Sequence, residues 1–137
     1  MQLSPYLGFN GQCEVAFKLY QECLGGTMQF KMTWGESPMA DQVSAEWRDK
    51  IMHASLIIGE TVLLGADSPP EHYEAPRGIS VTIPAKTVAD AERFFEKLSE
   101  GGTVTMPLQK TFWSPGFAMF VDRFGIPWMI STEQAPA

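Results

Sequence analysis

The sequence of 137 residues lacks the features that mark membrane, secreted and nucleic-acid-binding proteins. Its apolar runs are all far shorter than the roughly 20 residues that a membrane-spanning helix needs. Residues 1–6 do not combine a basic segment with an apolar stretch, so we expect no secretory signal. The ten lysines and arginines are scattered along a chain of net charge −6, whereas nucleic-acid-binding surfaces are basic. We therefore expect a cytoplasmic protein that uses neither a membrane nor a nucleic acid as partner.

Cysteine and histidine are also scarce, with two residues of each. Cys13 and Cys23 fall in one predicted helix, where their spacing corresponds to about 15 Å along the axis. A disulfide requires Cα atoms within about 7 Å, so both thiols are expected to be reduced packing residues. The sequence contains no closely spaced cysteine pair, no phosphate-binding glycine loop and no nucleophile elbow, which argues against zinc, nucleotide and serine-hydrolase chemistry.

The order of predicted elements is the same in the two halves of the chain. Alternating and apolar segments predict eight strands, over 3–9, 27–34, 51–58, 61–66, 78–84, 103–113, 117–121 and 126–132. A helix is expected after the first strand of each half. Asn10 is the expected N-cap of the first helix, and Thr87 with Asp90 resembles a capping box for the second.

An internal repeat supports this division. Gly25-Gly26-Thr27 and Gly101-Gly102-Thr103 occupy the same place, between the helix and the second strand of each half. We therefore predict an α+β fold of two βαβββ modules in a single domain, residues 1–137. Module one covers about 1–67, a proline-rich linker covers 68–77, and module two covers about 78–134.

Several short segments resemble a known family. They are residues 5–11, 24–26, 51–54, 111–113 and 122–129. Together they resemble the PhnB-like branch of the vicinal-oxygen-chelate superfamily, which includes glyoxalases, bleomycin resistance proteins and dioxygenases. The resemblance implies that the modules form a curled, half-open mixed sheet around a cleft, and that the protein is a homodimer. Names implying methyl transfer are attached to some members. This sequence has no glycine-rich loop with an acidic partner for a methyl-donor nucleotide, so we do not expect that activity.

The resemblance also implies where a metal would be bound. Enzymes of the superfamily generally hold a divalent ion with His, Gln or Glu from the first, fourth, fifth and eighth strands. Strand alternation predicts that the cleft-facing residues of these strands are Ser4, Tyr6, Leu63, Gly65, Gly78, Ser80 and Met129. None of them is a usual ligand, and a register shifted by one residue supplies none either. We expect no metal and no other cofactor.

Six residues are the candidates for a site. His53 and Tyr6 are the candidate catalytic pair, because imidazole can exchange protons near neutral pH and a phenol can both donate and accept a hydrogen bond. The alternative is that His53 is an ordinary polar residue of a sheet face with one hydrogen-bond partner. The candidate ligand-binding residues are Trp34, Phe112, Trp113 and Met129. We expect Tyr6, His53 and the three aromatic residues of that set to converge on one cleft.

Three classes of function remain open for this small-molecule cleft. The protein is a metal-free binding protein of the glyoxalase-like fold, a lyase or related enzyme acting on a small oxygenated metabolite, or a drug-sequestering protein similar to bleomycin-binding proteins. The missing metal ligands favour binding over catalysis. The net charge of −6 slightly favours a cationic ligand and the third class. The identity of the ligand is not encoded in any motif of the sequence.

Overall fold

The computed structural model describes residues 1–133, and these form two compact units. The first unit is Met1–Ala75, and the second begins at Pro76. Residues 134–137, which include the end of the predicted second module and of the predicted single domain, lie outside the described residues. No helix within residues 1–133 is long and apolar enough to cross a membrane.

The first unit has the order βαβββ. Its elements are β1 (Tyr6–Phe9), α1 (Cys13–Leu24), β2 (Thr27–Thr33), β3 (Ile51–Ile58) and β4 (Thr61–Asp67). The sheet order is β1-β4-β3-β2, in which β1 runs parallel to β4 and the other neighbours are antiparallel. The segment between β2 and β3 contains two short 3₁₀ turns, Ala40–Gln42 and Ala45–Trp47.

The second unit repeats this order and topology. Its elements are β5 (Val81–Ala85), α2 (Val88–Ser99), β6 (Thr103–Gln109), β7 (Phe117–Val121) and β8 (Pro127–Thr132). The sheet order is β5-β8-β7-β6, again with one parallel pair between the first and last strands. The predicted α+β fold with two βαβββ modules is therefore confirmed, as two open, mixed, four-stranded sheets.

The repeated glycines perform the same task in both units. A side chain at Gly26 would collide with the carbonyl oxygen of Ile57 on β3, and one at Gly102 would collide with that of Val121 on β7. Gly25 and Gly101, which precede them, have positive φ angles of 79° and 76°. Glycine adopts such angles without steric cost, so each pair ends its helix and lets the next strand approach the sheet closely.

The N-cap prediction is right for one helix and wrong for the other. The Thr87 hydroxyl accepts a hydrogen bond from the Asp90 amide at 3.0 Å, as the capping box requires. Asn10 does not cap α1, because the helix starts at Cys13 after Gln12, which provides no side-chain cap. The Asp67 carboxylate instead accepts a hydrogen bond from the Cys13 amide at 2.9 Å and thereby performs the cap's function from the end of β4.

Three predicted strand ends differ from the structure by three or more residues. β1 begins at Tyr6 and not at residue 3, and β5 begins at Val81 and not at residue 78. Ile79, which falls within the predicted strand 78–84, lies before β5 and is 71% exposed. β6 ends at Gln109 because residues 111–114 form a turn, in which the Thr111 hydroxyl accepts from the Ser114 amide.

Candidate functional site

Each sheet has one face covered by its helix and one open face. In the first unit, Leu7, Phe9 and Leu63 are buried, and the Phe9 and Phe17 rings meet edge to face at 5.9 Å. An added Cβ at Gly65 would lie 2.7 Å from the Phe17 ring, so Gly65 also faces α1. The prediction that Leu63 and Gly65 face the cleft is therefore wrong. Their neighbour Leu64, which pairs with Tyr6 on β1, lies on the open face.

Tyr6 and His53 lie together on this open face. The Tyr6 hydroxyl oxygen is 3.2 Å from His53 Nδ1, and the two ring centroids are 5.8 Å apart. The Phe30 ring lies at 5.8 Å on another side of the imidazole. Tyr6 is 54% exposed and Phe30 is 45% exposed, so a molecule on this face would meet both rings. The pairing agrees with the alternation on which the two candidate catalytic residues were chosen, but it does not test their roles.

The ionisation of Tyr6 limits what the pair can do. Partial burial, with a smaller contribution from Cys13, raises the pKa of the Tyr6 hydroxyl above its ordinary value of 10. The hydroxyl is therefore protonated at neutral pH and acts as a hydrogen-bond donor or acceptor, not as a phenolate base.

Trp34 occupies a different position in the first unit. Its indole Nε1 donates a hydrogen bond to the Asp67 carbonyl at 3.0 Å, which holds the ring at the end of β4. The Asp67 side chain, which is 1% exposed, accepts from the amides of Cys13 and Ile51. Trp34 thus has a structural role that joins the end of β2 to β4, and its predicted role in ligand binding stays a prediction.

Met129 lies on the open face of the second sheet. The Phe95 and Phe120 rings meet edge to face at 5.8 Å, which places Phe120 toward α2 together with its strand partner Trp128. Met129 follows Trp128 and therefore faces away from α2, as predicted. Its partner on β5 is Thr82, whose hydroxyl oxygen is 3.9 Å from the Met129 sulfur. Gly78 precedes β5, so it does not occupy the predicted strand position.

A groove of about 480 Å³ covers this part of the second sheet. Its lining comes from β6, β7, β8 and the segment before β5, and includes Arg77, Ile79, Ser80, Thr105, Met119 and Met129. Apolar side chains form most of its floor, and two hydroxyls and one guanidinium provide the polar groups. Gly78, Ser80 and Met129 were predicted to face the cleft, and all three line the groove, although Gly78 and Ser80 both precede β5.

Phe112 and Trp113 form an aromatic pair beside the start of β7. Their ring centroids are 4.6 Å apart, nearly perpendicular, and the Trp113 ring lies 5.2 Å from Phe117. Phe112 is 91% exposed and Trp113 is 45% exposed, whereas Phe117 is buried. Trp113 therefore covers Phe117, and Phe112 projects into solvent.

The expected convergence of five residues on one cleft stays a prediction. Tyr6, Trp34 and His53 belong to the first unit, whereas Phe112 and Trp113 belong to the second. Within the first unit the structure joins Tyr6 with His53. Within the second unit it packs the Phe112 ring against the Trp113 ring.

Three residues that the sequence analysis missed are important for these surfaces. Phe30 was overlooked because a register shift between Met28 and Phe30 interrupts the simple alternation of β2. Met119 could have been found, since it lies two positions after Phe117 and therefore shares a face of β7 with it. Arg77 could not, because it lies in the predicted linker, for which the sequence provides no orientation.

The side chains at the family's metal-binding positions do not fit a divalent ion. On the open faces of β1, β4, β5 and β8 the paired residues are Tyr6 with Leu64 and Thr82 with Met129. They offer a protonated phenol, an alkyl group, a hydroxyl and a thioether, whereas such ions need imidazole or carboxylate ligands. Within residues 1–133, no three His, Cys, Asp or Glu side chains are close enough together to hold a metal ion.

Comparison with known proteins gives the family. The model of the Glyoxalase/Bleomycin resistance protein/Dioxygenase superfamily matches residues 3–130. The chain belongs to this superfamily. It is 35% identical to protein YjdN of Escherichia coli (strain K12), over 99% of each chain.

Two solved structures extend this assignment to the glyoxalase-like fold. Protein PA1353 from Pseudomonas aeruginosa superposes with a TM-score of 0.89 at 46% identity, over 98% of this chain and 99% of that one. A PhnB protein from Bacillus cereus, described as a putative 3-demethylubiquinone-9 3-methyltransferase, superposes with a TM-score of 0.82 at 19% identity, over 96% and 99% of the chains. The full-length YjdN match and the PhnB fold support the PhnB-like branch.

Proposed function

We propose that this protein is a glyoxalase-like, PhnB-like binding protein, which holds a small molecule without a metal against the apolar and aromatic side chains of its open sheet faces. The groove on the second sheet carries this proposal. Its volume of about 480 Å³ is within the range of roughly 300–1,000 Å³ that is typical of small-molecule sites. A ligand there would cover Met119 and Met129, which are half-exposed, and would remove apolar surface from water.

The chemistry of the lining supports the same function. Small-molecule sites combine a mainly apolar wall with a few polar groups that orient the ligand. Here Ile79 and the two methionines provide the wall, and the hydroxyls of Ser80 and Thr105 can orient a ligand. The methionine side chain is flexible and polarizable, so such a wall can adapt to flat ligands of different shape.

An enzymatic function is the second candidate, and the Tyr6–His53 pair favours it. A hydroxyl 3.2 Å from an imidazole nitrogen is within reach for proton transfer, and both groups lie on an open face. A lyase or related enzyme acting on a small oxygenated metabolite would use His53 for proton transfer and Tyr6 to orient a ligand oxygen. A drug-sequestering role is a special case of the binding proposal, because a sequestered drug is bound and released without chemical change.

The test is a fluorescence titration with 4-nitrophenol, a small aromatic compound whose nitro group quenches tryptophan. Benzyltrimethylammonium is the cationic comparison and is detected by competition. We expect saturable quenching of the wild-type protein and of Trp47→Phe, which changes a tryptophan outside these surfaces. Trp113→Ala should lose most of the quenching while unfolding remains cooperative. Because Trp113 is 45% exposed, its removal should cost well below the about 3–5 kcal/mol typical of a core aromatic.

Two outcomes would count against this function. Quenching that rises linearly, without saturation, would show that 4-nitrophenol collides with the protein and does not bind it. Saturable quenching that Trp113→Ala leaves unchanged would exclude Trp113 from the binding surface, and saturable quenching that Met129→Ser leaves unchanged would exclude the groove of the second sheet. The enzyme alternative gains support only if incubation changes the added compound and His53→Gln abolishes that change.

A further inference from the structure

The groove of the second sheet carries a single charge. Among its lining residues only Arg77 is ionisable, in a chain whose net charge is −6. The ion pairs formed within residues 1–133 join Lys31 with Glu14, Arg48 with Asp41 and Arg93 with Asp90, so none of them includes Arg77. The guanidinium is exposed and presents five N–H donors in a planar fork. Such a fork is suited to an oxyanion.

The apolar part of the groove includes two thioethers. Met119 on β7 pairs directly with Met129 on β8, and both line the groove. Paired residues of neighbouring strands point to the same face, and neighbouring strands are about 4.8 Å apart. Thioethers make favourable contacts with aromatic rings at sulfur–ring distances of about 5 Å. The pair therefore forms a polarizable apolar surface against which an aromatic ring can pack.

These two observations together define a ligand class. Resting on the proposed function, we infer that the groove binds amphiphilic anions, with a flat apolar or aromatic body on Met119 and Met129 and a carboxylate, sulfonate or phosphate group at Arg77. The net charge of the chain alone favours a cation. At physiological ionic strength charges beyond about 8 Å are largely screened, so the local guanidinium has the greater effect on a ligand in the groove.

The test compares two dyes with the same rings. 8-Anilinonaphthalene-1-sulfonate carries a sulfonate, and N-phenyl-1-naphthylamine is its uncharged counterpart. Dissociation constants are measured by dye fluorescence at 0.15 M salt, with variants that keep the wild-type unfolding midpoint. We expect the sulfonate to bind the wild type about fivefold to tenfold more tightly than the amine, since tenfold corresponds to about 1.4 kcal/mol.

The variants separate the charge from the apolar wall. Arg77→Gln should weaken the sulfonate about fivefold to tenfold and leave the amine within about twofold. Lys97→Gln changes the net charge by the same amount but lies on an exposed position of α2, so it should affect neither dye. Met129→Ser should weaken both dyes, because it removes apolar surface that both would cover.

The outcomes distinguish this inference from the function on which it rests. Equal affinities of the wild type for both dyes, together with no effect of Arg77→Gln, would overturn the anion preference and leave the groove as a neutral binding site. Saturable binding of neither dye would overturn the groove as a binding site, and the anion preference with it. An equal loss of sulfonate affinity in Lys97→Gln and Arg77→Gln would also overturn the role of Arg77 in anion binding, because the affinity would then follow the net charge of the protein alone.

Discussion

The hydroxyl of Tyr6 lies 3.2 Å from Nδ1 of His53, although 47 positions separate them in the sequence. The two side chains come from β1 and β3, which both flank β4 in the first sheet. Neutral imidazole carries one proton on either of its nitrogens. A Tyr6 hydroxyl that donates to Nδ1 therefore places the imidazole proton on Nε2, where it is available to a ligand.

Replacing Tyr6 by phenylalanine should change the tautomer of His53 and little else. The chain has only two histidines, so the ¹⁵N resonances of both rings are readily assigned in the neutral form. In the wild type we expect His53 to be protonated mainly on Nε2, and in Tyr6→Phe the protonation should shift toward Nδ1. His72 serves as internal control and should not change, and Tyr73→Phe is the matched variant. Identical His53 spectra in the wild type and Tyr6→Phe would show that the hydrogen bond does not set the tautomer.

Asp67 should make stability depend on pH. Burial raises the pKa of its carboxyl above the ordinary value, and hydrogen bonds from the amides of Ile51, Cys13 and Gly11 offset this only in part. A raised pKa means that the folded state binds the proton more tightly than the unfolded state. The stabilisation from this group is therefore present below its unfolded pKa of about 3.9 and is lost as the pH rises through the folded pKa.

Denaturant unfolding of the wild type and Asp67→Asn measures this contribution directly. Between pH 4 and pH 7, the free energy of unfolding of the wild type should fall relative to that of the variant, because asparagine does not ionise. Asp49→Asn removes an exposed carboxyl and keeps Asp67, so it serves as the matched control. A relative rise with pH would mean that the amide donors dominate and that the carboxylate is the favoured form.

Divalent transition metals should not stabilise the protein. The side chains at the family's metal-binding positions are Tyr6, Leu64, Thr82 and Met129, none of which is a usual ligand. A ligand bound only to the folded state at about 100 times its dissociation constant adds about 2.7 kcal/mol to stability. We expect no shift of the melting temperature with zinc, nickel, manganese or iron. An upward shift with one of these ions, reversed by a chelator, would refute the metal-free account.

The chain should form a homodimer. The strands β1 and β2 are the edges of the first sheet, and β5 and β6 are those of the second. Edge strands present unpaired backbone groups, which proteins commonly cover through association. A closed twofold dimer is the commonest way to do so. Light scattering should return twice the chain mass of 15.2 kDa at micromolar concentration, whereas a value near 15.2 kDa would show a monomer.

Local signals in the sequence predicted the elements of the fold but not the contacts between distant elements. The glycine pairs and the Thr87 cap depend on near neighbours, so they could be predicted. The cap of α1 could not, because Asp67 lies 54 positions from Cys13.

The candidate site shows the same division. Alternation correctly placed Tyr6 and His53 on one face, because both follow the period of a strand. It put Leu63 and Gly65 on the wrong face, since a pattern of period two does not say which face a helix covers. Gly65 has no side chain of its own, and the Phe17 ring that fills the space above it comes from α1.

Methionine methyl spectroscopy tests the central claim, that a small molecule binds to the second sheet without a metal. Chelator-treated protein, labelled with ¹³C at its eight methionine methyl groups, is titrated with 8-anilinonaphthalene-1-sulfonate. We predict saturable shifts of the Met119 and Met129 methyl resonances and no change at Met1 and Met39, which are exposed in the first unit. The claim would be contradicted if Met119 and Met129 did not shift, or if all eight resonances shifted alike.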